Sequence, residues 1–185
     1  MDRNVVTYTL KNAPDRSLIR KLYLEAFPKE ERIPWPIMQA LTVFPDTQVT
    51  AYYDGDLFCG FTFSAYYENT LFILFLAVAE HLRGKGYGSK ILEYLKQKDP
   101  KVTILLNVEL LDPQADNYPQ RLQRMAFYQK NGFYDTGYDI DEVGGTFRVL
   151  ATTPEPDMDA YLRVFAHMSL GLWKPPIRKV TEKKV

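Results

Sequence analysis

The stretch from Leu71 to Lys98 constrains the fold more than any other part of this sequence. It opens with an apolar run, residues 71–78, which predicts a strand buried on both faces. Glycines follow at positions 84, 86 and 88. Beyond them, an apolar stripe predicts an amphipathic helix that ends near Lys98; its members are Tyr87, Ile91, Tyr94 and Leu95. The chain must therefore place a glycine-rich turn between a buried strand and a helix.

Such a turn is suited to an anion. Glycines let backbone N–H groups approach a ligand closely, and a helix N-terminus adds unpaired donors and the positive end of the helix dipole. The spacing does not match the G-x-x-x-x-G-K-[ST] phosphate loop. It also fails the G-x-G-x-x-G dinucleotide pattern, because Ser89 stands where the third glycine is needed.

Composition excludes several classes of protein. The 185 residues suffice for one domain with a substantial core, and 23 basic residues balance 23 acidic ones. A chain without net charge is not typical of nucleic-acid binding. Two histidines and one cysteine, Cys59, argue against a zinc site and exclude an internal disulfide. We expect a cytoplasmic protein without a metal, a signal peptide or a membrane span, with Cys59 a buried structural thiol.

Periodicity predicts the element order β-α-α-β-β-β-α-β-α-β-β over residues 1–151. Asp15 is expected to cap the first helix, and Asp54-Gly55 to form the turn of a hairpin. A second helix is predicted over residues 37–43. Leu122, Met125, Ala126 and Gln129 predict a helix that stops at Asn131-Gly132. A closing hairpin, an additional helix over residues 158–172 and a basic tail complete the chain.

Two motifs resemble the GNAT superfamily of N-acetyltransferases. Arg83-x-x-Gly86-x-Gly88 is similar to that family's acyl-CoA pyrophosphate loop, and Phe127-Tyr128-x-x-x-Gly132-Phe133 is similar to its L-Y-x-x-x-G-F motif. The element order also resembles the GNAT fold. The resemblance implies an α+β fold (an α/β sandwich) with a mixed, mostly antiparallel sheet of six to seven strands, flanked by helices, plus a C-terminal helix.

The resemblance also implies the residues that bind acetyl-CoA. The pyrophosphate would meet the backbone of the turn, and pantetheine the end of the preceding strand. Asn107 ends the following strand; it either faces pantetheine or a catalytic water, or satisfies local backbone. The complete predicted set is Leu76, Ala77, Val78, Arg83, Gly84, Lys85, Gly86, Tyr87, Gly88, Ser89, Asn107, Phe127 and Tyr128.

By the same resemblance, Tyr128 is the catalytic residue that protonates the departing CoA thiolate; the alternative is a packed aromatic side chain. One departure from the family stands near it. Family members often carry N-x-x-A-x-x-L-Y, whereas Arg121 and Arg124 occupy the first two of those positions here. Either arginine could contact a CoA phosphate or face solvent.

The general base and the acceptor are not identified by the sequence. Base candidates are Glu25, Glu30, Glu31, Glu68 and Glu109, each of which could equally be a solvated surface group. The closing hairpin carries acidic residues that could attract a cationic amine or simply form a soluble tip: Asp135, Asp139, Asp141 and Glu142. Phe27, Trp35 and Tyr66 could line an acceptor pocket or belong to the core.

The functional hypothesis is an acetyl-CoA-dependent N-acetyltransferase that acetylates a primary amine of a small molecule or peptide. The alternative is a non-catalytic acyl-CoA-binding regulatory module. We predict a catalytic domain over residues 1–152, and a C-terminal helix and tail over residues 153–185. Because that helix is strongly apolar, it must pack on its own domain or on a partner subunit, in a monomer or a homodimer. Neither a nucleic acid nor a membrane is expected as a partner.

Overall fold

A computed structural model describes residues 5–142 and 144–180. Within those ranges the chain forms five α-helices and eight strands. It divides into two compact units. The first joins the residues up to Tyr66 with Ile73–Pro100, and the second joins Tyr67–Phe72 with the residues from Lys101 onward.

The first unit holds the N-terminal elements. They are β1 (Val5–Thr9), α1 (Arg16–Ala26), α2 (Trp35–Leu41), β2 (Thr47–Asp54), β3 (Leu57–Tyr67), β4 (Thr70–Val78) and α3 (Tyr87–Lys98). The strands lie in the order β1-β2-β3-β4, and both β1–β2 and β2–β3 pair antiparallel. Strand β4 is shared, since its first three residues belong to the second unit.

Helix α1 begins as its sequence requires. The Asp15 carboxylate accepts the Ser17 backbone N–H at 2.8 Å, which supplies a partner for a donor that the helix leaves unpaired. Its buried residues Ile19, Leu22 and Tyr23 recur at helical spacing. The Tyr23 ring packs edge-on against Phe61 of β3 and Phe75 of β4, with ring centroids 6.1 and 5.1 Å away.

The second unit holds the C-terminal elements. They are β5 (Thr103–Glu109), α4 (Tyr118–Lys130), β6 (Tyr134–Glu142), β7 (Gly145–Ala151), α5 (Met158–Met168) and β8 (Ile177–Lys179). From the start of β4 the strand order is β4-β5-β7-β6-β8. The β5–β7, β6–β7 and β6–β8 pairs are antiparallel.

The buried contacts of helix α5 with its own chain include a group of three aromatic rings. The Tyr161 and Phe165 rings lie 5.2 and 4.9 Å from the ring of Phe72 at the start of β4, and all three side chains are buried. The helix ends at Met168, short of the predicted residue 172, because Leu170 and Gly171 have positive φ angles of 54° and 81°. The boundary after residue 152 stays a prediction.

The predicted α+β class is confirmed, while three further details differ. The sheet has eight strands, since residues 177–179 of the expected tail pair with β6. Helix α2 begins two residues early, at Trp35, with Pro36 in the first turn where its missing N–H costs nothing. In α4, Leu122, Ala126 and Gln129 are exposed, so the predicted stripe is not the buried one.

Among the described residues, no helix is long and apolar enough to cross a membrane.

Candidate active site

The glycine-rich turn has the backbone conformation that its sequence predicts. After β4 the chain makes a short 3-10 helix, Glu80–Leu82, and then reverses through Gly84 and Gly86. These glycines have φ angles of 72° and 84°, in the left-handed region that side chains rarely adopt. Gly86 is the N-cap residue of α3, so the helix starts at Tyr87.

The N-terminus of α3 carries no side-chain cap, because glycine has none to offer. A Cβ atom added at Gly84 or Gly86 would meet nothing within 4 Å, so space lies open above both residues. The exposed side chains of Arg83 and Lys85 add two positive charges to the same turn. Uncapped helix donors beside two cations are groups suited to bind an anion.

Side-chain contacts within the first unit hold this turn in place. The Tyr87 hydroxyl donates to Asp54 in the β2–β3 turn at 2.9 Å. Further along α3, the Tyr94 and Thr7 hydroxyls are 3.2 Å apart. The Arg83 Nε donates to the Val78 carbonyl at 3.4 Å, linking the turn back to the end of β4. The turn is therefore fixed to the sheet at both ends.

The end of β4 depends on a glycine in the neighbouring strand. A Cβ atom at Gly60 of β3 would lie 2.2 Å from the Ala77 carbonyl oxygen, a distance that no side chain tolerates. The Ala79 N–H donates to the Cys59 carbonyl at 2.9 Å in the same place. Gly60 thus positions the predicted pantetheine strand, residues 76–78. The sequence signal was a glycine inside a strand pattern, which indicates close backbone approach.

The aromatic residues considered for an acceptor pocket lie around the first unit's core. The Phe27 ring packs on Phe75 at 4.7 Å, and Trp35 on Tyr23 at 6.0 Å, each half-buried. The Tyr23 hydroxyl donates to the Ile33 carbonyl at 2.9 Å, and burial raises its pKa to about 12. Tyr66 is half-buried, and its backbone N–H donates to the Asp46 carbonyl. Phe27 and Trp35 therefore extend the core toward solvent.

Tyr128 lies in the second unit at the end of α4. Its side chain is buried and packs against Phe127 and Phe133, with ring centroids 5.1 and 5.7 Å away. Gly132, with φ of 74°, ends the helix, and the Phe133 N–H donates back to the Tyr128 carbonyl. Burial raises the pKa of Tyr128 to about 12, and the positive charge of Arg124 opposes that rise. The phenol is protonated at neutral pH.

Arg121 and Arg124 both bind Glu109 at the end of β5. Arg124 forms a close ion pair with this carboxylate, and the Arg121 Nε lies 3.6 Å from it. Arg121 also donates to the Leu110 carbonyl and to the Asn117 side chain, each at 2.7 Å. The structure thus shows an arrangement that sequence reasoning missed: an internal ion-pair cluster joining α4 to β5.

Asn107 sits in a polar network beneath α5. Its amide nitrogen donates to Glu142 of β6, and its oxygen accepts the Tyr161 hydroxyl at 2.8 Å. Burial and the nearby Glu142 charge hold the pKa of Tyr161 well above its usual range. Neither Tyr161 nor Glu142 was linked to Asn107 by the sequence, because the three residues are far apart along the chain. The amide of Asn107 is therefore held in one orientation.

The acidic hairpin is neutralised by arginines. Arg148 of β7 donates to both Asp135 and Asp139 at 2.8 Å, and Arg178 of β8 donates to Asp141 at 2.8 Å. Asp139 is only 7% exposed, so its charge is compensated inside the protein. These three carboxylates bind strands together, which favours the structural interpretation of the cluster over amine attraction.

Three of the candidate bases are engaged in ion pairs. Glu109 binds the two arginines of α4, Glu68 binds Arg163 at 2.9 Å, and Glu25 lies 3.9 Å from Lys21. Glu30 and Glu31 lie on the 3-10 turn Lys29–Glu31, between α1 and α2. No group of three or more histidine, cysteine, aspartate or glutamate residues suited to a metal occurs within residues 5–142 and 144–180.

The predicted site residues thus fall into two sets. The set in the first unit lies at the end of β4, residues 76–78, and on the turn and helix start that follow the 3-10 helix, residues 83–89. The set in the second unit is Asn107 on β5 with Phe127 and Tyr128 on α4. Cys59, by contrast, is buried in β3, where desolvation raises the pKa of its thiol, as expected of a structural cysteine.

A family model matches the middle of the chain. Residues 45–135, which contain both motifs, match the model of the acetyltransferase (GNAT) domain. The predicted resemblance to the GNAT superfamily is therefore confirmed over residues 45–135. No curated protein matches the sequence.

Solved structures share the fold at low identity. A GNAT-family protein from Bacteroides thetaiotaomicron is 22% identical with a TM-score of 0.70, covering 92% of this chain and 99% of that one. An aminoglycoside 6'-N-acetyltransferase complexed with coenzyme A is 20% identical (TM-score 0.61; 83% and 99% covered). A GNAT family acetyltransferase from Elizabethkingia anophelis with acetyl-CoA bound is also 20% identical (TM-score 0.56; 82% and 98% covered).

Proposed function

We propose that this protein is an acetyl-CoA-dependent N-acetyltransferase acting on a primary amine of a small molecule or peptide. The GNAT domain match supports acetyl transfer, and proteins of the same fold bind coenzyme A or acetyl-CoA. The observation that carries the proposal is the uncapped start of α3 at Gly86, beside two basic side chains.

The turn fits the diphosphate of CoA in charge and shape. The ligand is an anion, and the turn offers helix-terminal N–H groups with Arg83 and Lys85 at its rim. Open space above Gly84 and Gly86 lets a phosphate reach the backbone. We assign diphosphate binding to residues 83–89 and pantetheine binding to the backbone of residues 76–78. In the second unit, Asn107, Phe127 and Tyr128 are the residues proposed to bind acetyl-CoA.

Acetyl-CoA supplies a thioester, and the CoA sulfur that departs from it needs a proton donor. The amine nitrogen forms a bond to the thioester carbonyl carbon, the carbon–sulfur bond breaks, and the amine loses a proton to water, which returns a proton to the acid at the end of the cycle. We propose that Tyr128 gives its phenolic proton to the departing sulfur. Its raised pKa keeps the phenol protonated at neutral pH, so the proton is present when the sulfur needs it.

The test measures CoA release from acetyl-CoA in the presence of a panel of primary amines, with calorimetry of acetyl-CoA binding alongside. The panel holds small aliphatic, aromatic and aminoglycoside amines, and peptides with a free N-terminus or lysine. We expect binding and amine-dependent CoA release with at least one class. Binding without release for any amine supports the regulatory module instead. Absence of acetyl-CoA binding by the folded protein rejects both functions.

A further inference from the structure

The ion-pair cluster beside Tyr128 contains more positive than negative charge. Arg121 and Arg124 bind the single carboxylate of Glu109, whose side chain is 14% exposed. Asn117 donates to the same carboxylate at 2.8 Å and accepts from Arg121, so the anion is held from several sides. One formal positive charge therefore remains uncompensated within this group of side chains.

Arg124 is the member of the cluster nearest in sequence to Tyr128. It precedes Tyr128 by four residues in α4, so the two side chains lie on the same face of the helix, one turn apart. The ion pair with Glu109 fixes the guanidinium, which otherwise has several rotatable bonds and would sample many positions. Glu109 comes from β5, so the orientation is set by tertiary structure and not by α4 alone.

We propose that Arg124, held by Glu109, is a positioning residue that stabilises the negative charge developing on the Tyr128 oxygen as its proton is transferred. This inference rests on the proposed acid role of Tyr128. The step leaves a tyrosinate: the O–H bond breaks, the proton goes to the sulfur, and the electron pair stays on the phenolic oxygen. A fixed cation one helical turn away lowers the energy of that anion.

The chain needs such a cation because Tyr128 is buried. Burial alone penalises the tyrosinate, and a phenol with a raised pKa is a weak acid toward a thiolate, since ordinary thiols titrate near 8.5. The charge of Arg124 acts in the opposite direction. Arg124 stands where family members often have a small residue, so this arginine departs from that family pattern.

A spectroscopic titration tests the coupling without any substrate. The protein is labelled with 3-fluorotyrosine, whose phenol titrates lower than that of tyrosine, and followed by fluorine NMR. The chain has 13 tyrosines, so the signal of residue 128 is assigned by its loss in Tyr128→Phe. Arg124→Met keeps the aliphatic stem and removes the charge, while Arg124→Lys restores a charge. Lys130→Gln removes an exposed charge from the same helix and is the matched control.

We expect the pH midpoint of the titration of residue 128 to move upward in Arg124→Met and to return toward the parent value in Arg124→Lys. The midpoint should stay unchanged in Lys130→Gln. With an amine substrate, kcat of Arg124→Met should fall by at most about tenfold for each pH unit by which the midpoint rises. Acetyl-CoA affinity should stay the same. An unmoved midpoint in folded Arg124→Met overturns the inference, as does a loss of acetyl-CoA affinity alone, which would indicate a phosphate contact. If Arg124→Met does not fold, Arg124→Gln gives the same measurement.

Because the titration needs no turnover, it separates this inference from the proposed function. A shifted midpoint in a protein that transfers no acetyl group would leave the electrostatic coupling established while rejecting catalysis. An unshifted midpoint in an active enzyme would reject the coupling alone.

Discussion

The turn before α3 and the hairpin of β6 and β7 are both rich in residues that suggest function, yet they are built on different physical principles. The turn is defined by backbone conformation: Gly84 and Gly86 adopt positive φ angles, and no side chain caps the helix. The hairpin is defined by side-chain pairs, because Arg148 and Arg178 each bind aspartates on β6. The turn leaves backbone N–H groups available to a ligand, whereas the hairpin pairs its charged side chains with each other.

This difference predicts how each region responds to substitution. A region defined by its backbone should respond most strongly to the loss of a glycine and less to the removal of a nearby surface charge. A region defined by ion pairs should respond to charge removal and to pH. The following five substitutions test that contrast.

Gly86→Val should have the largest effect. Valine cannot adopt a φ of 84° without strain of roughly 1–3 kcal/mol, so the turn would rearrange and withdraw its N–H groups from the diphosphate. We expect acetyl-CoA affinity to fall by about 10²-fold or more in calorimetry. Gly171→Val is the matched control, since φ there is 81° with equally open surroundings but the residue lies in the turn after α5. Equal affinity in folded Gly86→Val would remove the diphosphate assignment.

Tyr128→Phe keeps the buried ring and removes the acid. Turnover should fall by roughly 10²-fold, the lower range for lost general acid catalysis, with acetyl-CoA affinity nearly unchanged. Steady-state kinetics with an amine identified in the panel measures the effect. Tyr134→Phe, at a tyrosine that is 52% exposed, should retain full activity. Full activity in Tyr128→Phe would mean that the side chain only packs.

Local patterns predicted the backbone-defined parts correctly. The cap at Asp15, the glycine turn before α3 and the stop at Gly132 each depend on one residue and its immediate neighbours. Such features are encoded within a few positions, so they are visible before any tertiary contact is known. The fold class was implied by the resemblance of the element order and the two motifs to the GNAT family.

Pairings between distant residues could not be predicted. Whether Arg121 and Arg124 face solvent, a phosphate or Glu109 depends on how α4 docks on β5, which local sequence does not specify. The same holds for Arg148 with Asp139, whose pairing depends on the register of β6 and β7. Strand β8 was missed for a related reason: three residues after two prolines have no periodicity, and their strand conformation depends on β6.

Gly60→Ala tests whether backbone contacts also dominate inside the sheet. The added methyl group would collide with the Ala77 carbonyl, a backbone atom that can move only by shifting β4. We expect a loss of about 1–3 kcal/mol in the free energy of unfolding, measured by denaturant titration, together with weaker acetyl-CoA binding. Gly55→Asn is the control, because asparagine tolerates the φ of 62° at that turn position and a Cβ atom there meets nothing within 4 Å. Wild-type stability of Gly60→Ala would show that β3 and β4 separate easily.

Arg148→Met tests the side-chain-defined region. It leaves Asp139, which is nearly fully buried, without its main donor, and an unsatisfied buried acceptor costs about 1–3 kcal/mol. The melting temperature should fall by several degrees, since each kcal/mol of lost stability lowers it by about 2–4 °C in a chain of this size. Arg20→Met removes an exposed arginine from α1 and should be nearly neutral. Acetyl-CoA affinity should not change if the hairpin residues serve only structure.

Asp141→Asn should have the smallest effect, and its effect should depend on pH. The hydrogen bond from the Thr146 hydroxyl is the main cause that holds the pKa of the Asp141 carboxyl below its ordinary value of 3.8, and Arg178 lowers this pKa further. A lowered folded-state pKa means that the carboxylate contributes stability above about pH 3.8, and that this contribution disappears as pH falls through the folded value. The melting temperature of Asp141→Asn should therefore lie slightly below that of the wild type at pH 6, and the gap should narrow toward pH 3. Because the side chain is 40% exposed, added salt should narrow the gap at pH 6 as well. A gap that is independent of both pH and salt would mean that Asp141 acts through hydrogen-bond geometry and not through its charge.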